Sequence, residues 1–267
     1  MENRYPGVKQ TIGLLLLTLF LQVVFSALFT LMFNVLNIPV DSVFITGLAN
    51  LIALGIIIFR SVKRLGGDFK NSYALNSFNW KYIIVGIVFA VGISIIISEI
   101  DNLTRVILPM PQFVKTIYNS MVHAEVNVWA SVFTLCIVAP VTEELLFRGL
   151  ILRGFLSRMS KHKAVFLSAL FFALFHLSPW QFIGPFIIGV IFAYLFIETK
   201  SIFPSMILHG IFNFLPILVL SILKINIPGY STDMSQIAFQ PLWFDLVGII
   251  LIALSAGVYY KGLLWKQ

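Results

Sequence analysis

Eight apolar stretches, at about 11–36, 43–59, 81–99, 128–150, 164–178, 181–197, 202–223 and 242–260, leave this chain few ways to fold. A helix needs about 20 apolar residues to cross the hydrocarbon of a bilayer. Soluble domains carry roughly 25% charged residues. Here 11% of the 267 residues are charged and 59% are hydrophobic, with a mean hydropathy of +0.98. The expected fold is therefore all-α, a polytopic membrane protein of about eight transmembrane helices enclosing a polar intramembrane site. Residues 1–267 read as a single membrane domain, because no soluble domain fits between the spans. The longest connection, about 100–127, is an irregular stretch containing Pro109 and Pro111. The first run exceeds the 7–15-residue core of a signal peptide and more spans follow it, so it reads as a span.

The formal charge of +7 does not point to nucleic acid, because the positive charges fall in short connections between apolar runs. With the N-terminus in the cytoplasm and eight crossings, 15 of the 18 Lys and Arg residues lie on the cytoplasmic side and three, Arg105, Lys115 and Lys224, lie outside. The positive-inside rule supports the even count and this orientation. The five tryptophans, Trp80, Trp129, Trp180, Trp243 and Trp265, fall at or just beyond span ends, as interfacial anchors do. A single cysteine, Cys136, excludes a disulfide framework or a thiolate cluster within one chain and reads as a packing residue. The expected location is a plasma membrane, bacterial by the Ile-, Phe- and Lys-rich composition, with both termini cytoplasmic.

Against that apolar background Glu143 and Glu144 stand side by side in the fourth run. A carboxylate inside a bilayer costs on the order of 3 kcal/mol even on lenient scales and usually serves function. The other ionisable groups clearly inside spans are Arg148, His176 and His209, with Asn213 one turn beyond His209; His123 and His162 read as connection residues. Residues four apart share a helix face, while neighbours point about 100° apart. Glu144 and Arg148 are thus expected to pair, leaving Glu143 free on another face. Pro140, just before the glutamates, removes a backbone hydrogen bond and is expected to bend the helix. At 1.5 Å per residue, Glu143 lies roughly 20 Å from the cytoplasmic end of its helix near Ser157. On the same scale His176 lies roughly 18 Å from Ala164, and His209 and Asn213 roughly 10 and 16 Å from Ser201. All four fall at one level, in the cytoplasmic half or near the midplane, which favours one convergent site. Asn50, alone on the second span, reads as helix glue.

Such a set suits amide hydrolysis without a serine or cysteine nucleophile. A buried carboxylate can act as general base toward water. A neutral histidine can orient that water, and a second histidine with an asparagine amide can donate to a developing oxyanion.

The pattern Glu143-Glu144-Leu145-Leu146-Phe147-Arg148 resembles the EExxxR motif of the CAAX-protease and bacteriocin-processing (CPBP, or Abi) family of intramembrane endopeptidases. Phe172-Ala173-Leu174-Phe175-His176 resembles its FxxxH motif, and His209-Gly210-Ile211-Phe212-Asn213 its HxxxN motif. The resemblance covers about 128–214, the expected catalytic core. It implies a membrane protease that cuts a membrane-associated, prenylated CAAX-like or bacteriocin- or pheromone-like peptide. Glu143 would activate water with His176, His209 and Asn213 would form the oxyanion site, and Glu144 with Arg148 would support them. The family is also described as metalloprotease. Zinc would draw on His176, His209 and Glu143, but no HExxH spacing is present, so the reading without a metal cofactor is favoured. The expected partners are a peptide or membrane-protein substrate and the lipid bilayer, with no nucleic acid. The alternative is a non-catalytic immunity or scaffold protein that binds peptides or partners in the same cavity. A proton-coupled transporter would also use intramembrane Glu and His, but no repeated halves with paired broken helices are visible.

Overall fold

The computed structural model describes residues 5–116, 127–230 and 237–264; Arg4, His123, Trp265 and Lys266 lie outside them. Helices are the only regular secondary structure among the described residues. Seven are long and apolar enough to cross a membrane. In chain order the main helices are α1 (Val8–Val35), α2 (Ser42–Leu65), α3 (Lys81–Ile107), α4 (Val128–Leu156), α5 (Lys161–Phe175), α6 (Ile183–Thr199), α7 (Phe203–Ile222) and α8 (Leu242–Leu264).

The exception to the eight expected spans is α5. At 15 residues it is about 22 Å long, short of a hydrocarbon core of about 30 Å. The apolar run continues past it, but Leu177 turns into the left-handed region (φ 53) and Pro179 opens a short 3₁₀ turn. α5 packs along α6 and against the second half of α4, and Phe172, Ala169 and Val165 on it are buried. His162, expected in a connection, sits in its first turn, 2.8 Å from the Tyr194 hydroxyl.

Local chemistry explains where the helices begin and end. Asp41 and Asn127 cap α2 and α4, accepting from the N–H groups of Val43 (2.7 Å) and Trp129 (3.1 Å). Gly66, at φ 65, closes α2 in the conformation that glycine adopts without penalty. Trp80, Trp129 and Trp243 stand at helix starts and Trp180 lies in the 3₁₀ turn.

Hydrogen bonds tie together two ends of the bundle. At one, Asn76 donates to the Lys200 carbonyl (2.6 Å), Ser201 to that of Asn76 (2.7 Å) and Arg153 to that of Asn71 (2.8 Å). At the other, Trp180 donates to the Leu108 carbonyl (2.7 Å) and Asn102 to that of Gly229 (2.9 Å). Twelve Lys and Arg residues among those described belong to the first end; Arg105, Lys115 and Lys224 belong to the second. Just inside the basic end the interior is closed by an apolar plug that includes Tyr73, Leu146, Phe147, Leu150 and Phe155, all at most 1% exposed.

Candidate active site

α4 carries the two glutamates between two widened turns. Over Val132–Val138 and again over Leu145–Leu152 the backbone winds as π-helix, flanking an α-helical Ala139–Glu144. Such turns arise where the ordinary ladder is interrupted and are frequent at functional sites. The bend expected from Pro140 takes this form. The Ala139 N–H already reaches back five residues, to the Thr134 carbonyl. In that register the next bond would run from residue 140 to Leu135, and a proline has no N–H to make it. The Asn213 amide on α7 donates to the Leu135 carbonyl instead, at 2.8 Å. α7 comes this close because of Gly210: a Cβ there would stand 2.6 Å from the Cys136 carbonyl oxygen. The HxxxN spacing thus has a structural logic, with Gly210 allowing the approach and Asn213 filling the gap that Pro140 leaves.

Glu144 and Arg148 pair as their spacing predicts. The Arg148 Nη1 donates to Glu144 Oε1 at 2.8 Å, with both side chains at most 1% exposed. The same oxygen lies 3.0 Å from His209 Nδ1. Arg148 Nη2 donates to the Gly189 carbonyl on α6 (3.3 Å). The guanidinium also lies over the Phe172 ring, 4.6 Å from its centroid, an arrangement that attracts a cation to the ring face. Phe172 in turn meets both histidines edge-on, at 5.0 Å from His176 and 5.9 Å from His209. The first residue of FxxxH therefore aligns the second motif with the other two.

Glu143 points elsewhere. Its side chain is 15% exposed, with Oε2 buried, unpartnered and 4.0 Å from His209 Nε2. Glu143, His176, His209 and Asn213 all line one cavity of about 420 Å³, while Glu144 and Arg148 stand behind it. His176, at the end of α5, uses Nδ1 to reach the Phe172 carbonyl (2.9 Å). That bond requires a proton on Nδ1, so in the neutral ring Nε2 is an acceptor.

Residues 125–215 match a family model described as Rce1-like, type II CAAX prenyl endopeptidase. This segment is similar to that family. It spans roughly a third of the chain and contains all three motifs. No curated protein and no solved structure matches the chain.

The cavity is not confined to the matched segment. Its wall includes Asn50 on α2 and Ser94, Ser98, Asp101 and Arg105 on α3. Arg105, assigned to an outer connection by its position near the end of an apolar run, is a buried residue of α3, 6% exposed. The i, i+4 spacing of Asp101 and Arg105 was the available signal. The cavity extends away from the basic end of the bundle. On every helix it touches, its residues lie between the glutamate level and the end remote from the basic rim: Thr46 and Asn50 begin α2, Ser94 to Arg105 finish α3, and Gly184 and Pro185 begin α6. The depth estimate placed the glutamates near mid-helix, but the apolar plug that closes the basic side depends on packing between helices.

The proposed zinc donors do not fit a metal. A catalytic zinc takes three protein ligands. Among the described residues, no group of three His, Cys, Asp or Glu side chains is placed to hold one.

Proposed function

We propose that the protein is an intramembrane endopeptidase of the glutamate type, with the 128–214 core as its catalytic part. The observation that carries this reading is the division of labour between adjacent glutamates. Glu144 is spent on Arg148 and His209, while Glu143 presents an unpartnered carboxylate oxygen to a cavity shared with two histidines and an asparagine.

In the mechanism, Glu143 takes a proton from a water held against His176 Nε2. The water oxygen attacks the substrate carbonyl carbon, and the C–O π electrons move to oxygen. To serve the oxyanion, His209 carries a proton on each ring nitrogen, with Nδ1–H donated to the Glu144 carboxylate. Nε2–H of that ring then faces Glu143 and the developing oxyanion, with the remaining N–H of the Asn213 amide beside it. As the tetrahedral intermediate collapses, the C–N bond breaks and Glu143 returns its proton to the leaving amine. Arg148 is two side chains removed from the reacting atoms and acts by holding Glu144.

The substrate class is a membrane-associated peptide, of the CAAX, bacteriocin or pheromone kind. Positive-inside asymmetry puts the twelve basic residues, and both termini, in the cytoplasm of a bacterial cell. The cavity then faces the extracytoplasmic side. The test is cleavage of internally quenched peptides by the purified protein, comparing wild type with Glu143→Gln and His176→Ala, with and without a chelator. Cleavage lost in both variants and retained after metal removal is expected. Full activity in the variants contradicts the assignment, and loss on chelation contradicts the metal-free step. Peptide capture without cleavage would instead mark an immunity or scaffold protein.

A further inference from the structure

Asn50, whose isolation on its span marks it as helix glue, has no helix to hold. Its side chain makes no hydrogen bond to another described residue. It faces an open groove of about 690 Å³ between α1 and α2. The α1 side of that groove is a polar row. Gln22, Ser26, Thr30 and Asn34 follow one another at intervals of four residues, on one face of the helix. The row is about 18 Å long. It starts at mid-helix and ends in the last turn of α1, remote from the basic rim. Val23 and Leu31 beside it are 70% and 62% exposed, so the groove opens toward lipid.

Other hydroxyls on these two helices are satisfied within their own helix. Thr11 and Thr18 donate to the carbonyls of Gly7 (3.1 Å) and Leu14 (2.8 Å), and Thr46 to that of Ser42 (2.9 Å). The side chains of Gln22, Ser26, Thr30 and Asn34 make no such bond among the described residues. Acyl chains offer neither donor nor acceptor, so lipid leaves the row unsatisfied. A second copy of the chain presents a groove at the same surface, where a ridge is needed. One helix with uncharged polar side chains along a face meets both demands, because such side chains hydrogen-bond across helices in membranes. The groove also adjoins the catalytic cavity: Thr46 and Asn50 line both.

We propose that this groove docks the membrane-spanning helix of the substrate, through hydrogen bonds from Gln22, Ser26, Thr30, Asn34 and Asn50 to a polar face of that helix. This deepens the proteolytic reading and rests on it. The substrate class becomes a polypeptide anchored by a helix that carries Asn, Gln, Ser or Thr at every fourth position in the half remote from the basic rim. The segment to be cut continues from that end of the helix, past Thr46 and Asn50 into the cavity.

Binding is measured apart from cleavage, on purified Glu143→Gln protein in phosphatidylcholine–phosphatidylglycerol vesicles. The readout is energy transfer from the protein's tryptophans to a labelled helix, at a density too low for the helix to pair with itself. The probes are two lysine-flanked leucine helices, one all leucine and one with asparagine and serine alternating at every fourth position of one half. The polar helix is expected to bind about tenfold tighter, the worth of two or three interhelical hydrogen bonds. Adding Gln22→Leu and Ser26→Leu removes the difference; both residues line the groove and neither lines the catalytic cavity. Equal binding of the two helices, or a preference that survives those substitutions, overturns the proposal. So does association between copies of the protein that the same substitutions abolish, which assigns the groove to a second copy. Should the substituted protein fail to fold, the comparison of the two helices on Glu143→Gln alone decides. Wild-type cleavage is scored separately, on a quenched peptide alone and joined to the polar helix. Joining should lower KM about tenfold with kcat unchanged, and cutting without that gain overturns the substrate role. Absence of cutting with an intact preference for the polar helix refutes the proteolytic reading and leaves the docking groove standing.

Discussion

Replacing Arg148 by methionine isolates what the buried ion pair does. Methionine keeps much of the apolar stem, but it leaves Glu144, 0% exposed, without the guanidinium 2.8 Å away. Breaking a buried pair from one side costs about 3–5 kcal/mol, because a charge is stranded. An independent limit gives a similar figure. A glutamate of ordinary acidity can escape by taking up a proton, which at pH 7 costs about 3.7 kcal/mol and about 1.36 kcal/mol less for each unit the pH falls. Arg148→Met should therefore lose about 3–4 kcal/mol at pH 7, with the deficit shrinking to about 1 kcal/mol at pH 5. Adding Glu144→Gln removes the charge while its amide oxygen still accepts from His209 Nδ1. The double variant should recover most of the loss, with a coupling of at least 2 kcal/mol in a double-mutant cycle. The assay is denaturant unfolding in mild detergent at both pH values. A deficit under 1 kcal/mol at pH 7, or additive single effects, would refute the reasoning that Glu144 and Arg148 form a mutually dependent buried pair.

Asn213→Ala should cost about 1–2 kcal/mol, since the Leu135 carbonyl loses its substitute donor; unchanged unfolding would remove the proposed link to Pro140. On a Cys136→Ser background, Gln181→Cys, on the cavity wall, should react with a membrane-impermeant maleimide on intact cells. Lys200→Cys, at the basic end, should react only after permeabilisation, and the reverse pattern would invert the orientation.

Much of the site was legible because helical spacing is a strong constraint. Four residues separate Glu144 from Arg148, and the two pair. Adjacency splits Glu143 from Glu144, and Glu143 alone of the two lines the cavity. What spacing could not show were contacts set by the backbone of another helix. Asn213, expected at the oxyanion, also holds the Leu135 carbonyl, a partner created by π-helical winding that no residue pattern announces. Phe172 was visible as a motif letter, but its place between Arg148 and both histidines depends on how α4, α5 and α7 cross. Arg105 was read as a residue of an outer connection because charge at the edge of an apolar run usually meets water. Here the loop at Gly229 and the side chain of Gln240 cover that region, and the charges turn inward. The fifth span was short in the sequence and is short in the structure, where the turn at Leu177 and Pro179 ends the helix before the apolar run does.

The central claim is that Glu143 is the base and Glu144 is not, and one substitution tests it most directly. Glu143→Gln preserves shape and removes only the proton acceptor, and Glu143 Oε2 accepts no hydrogen bond from another side chain or from the backbone. Peptide cleavage by purified Glu143→Gln should fall at least 100-fold, the lower range for loss of a general base, with unfolding stability within about 0.5 kcal/mol of wild type. Cleavage within a few-fold of wild type by a folded Glu143→Gln protein would contradict the account.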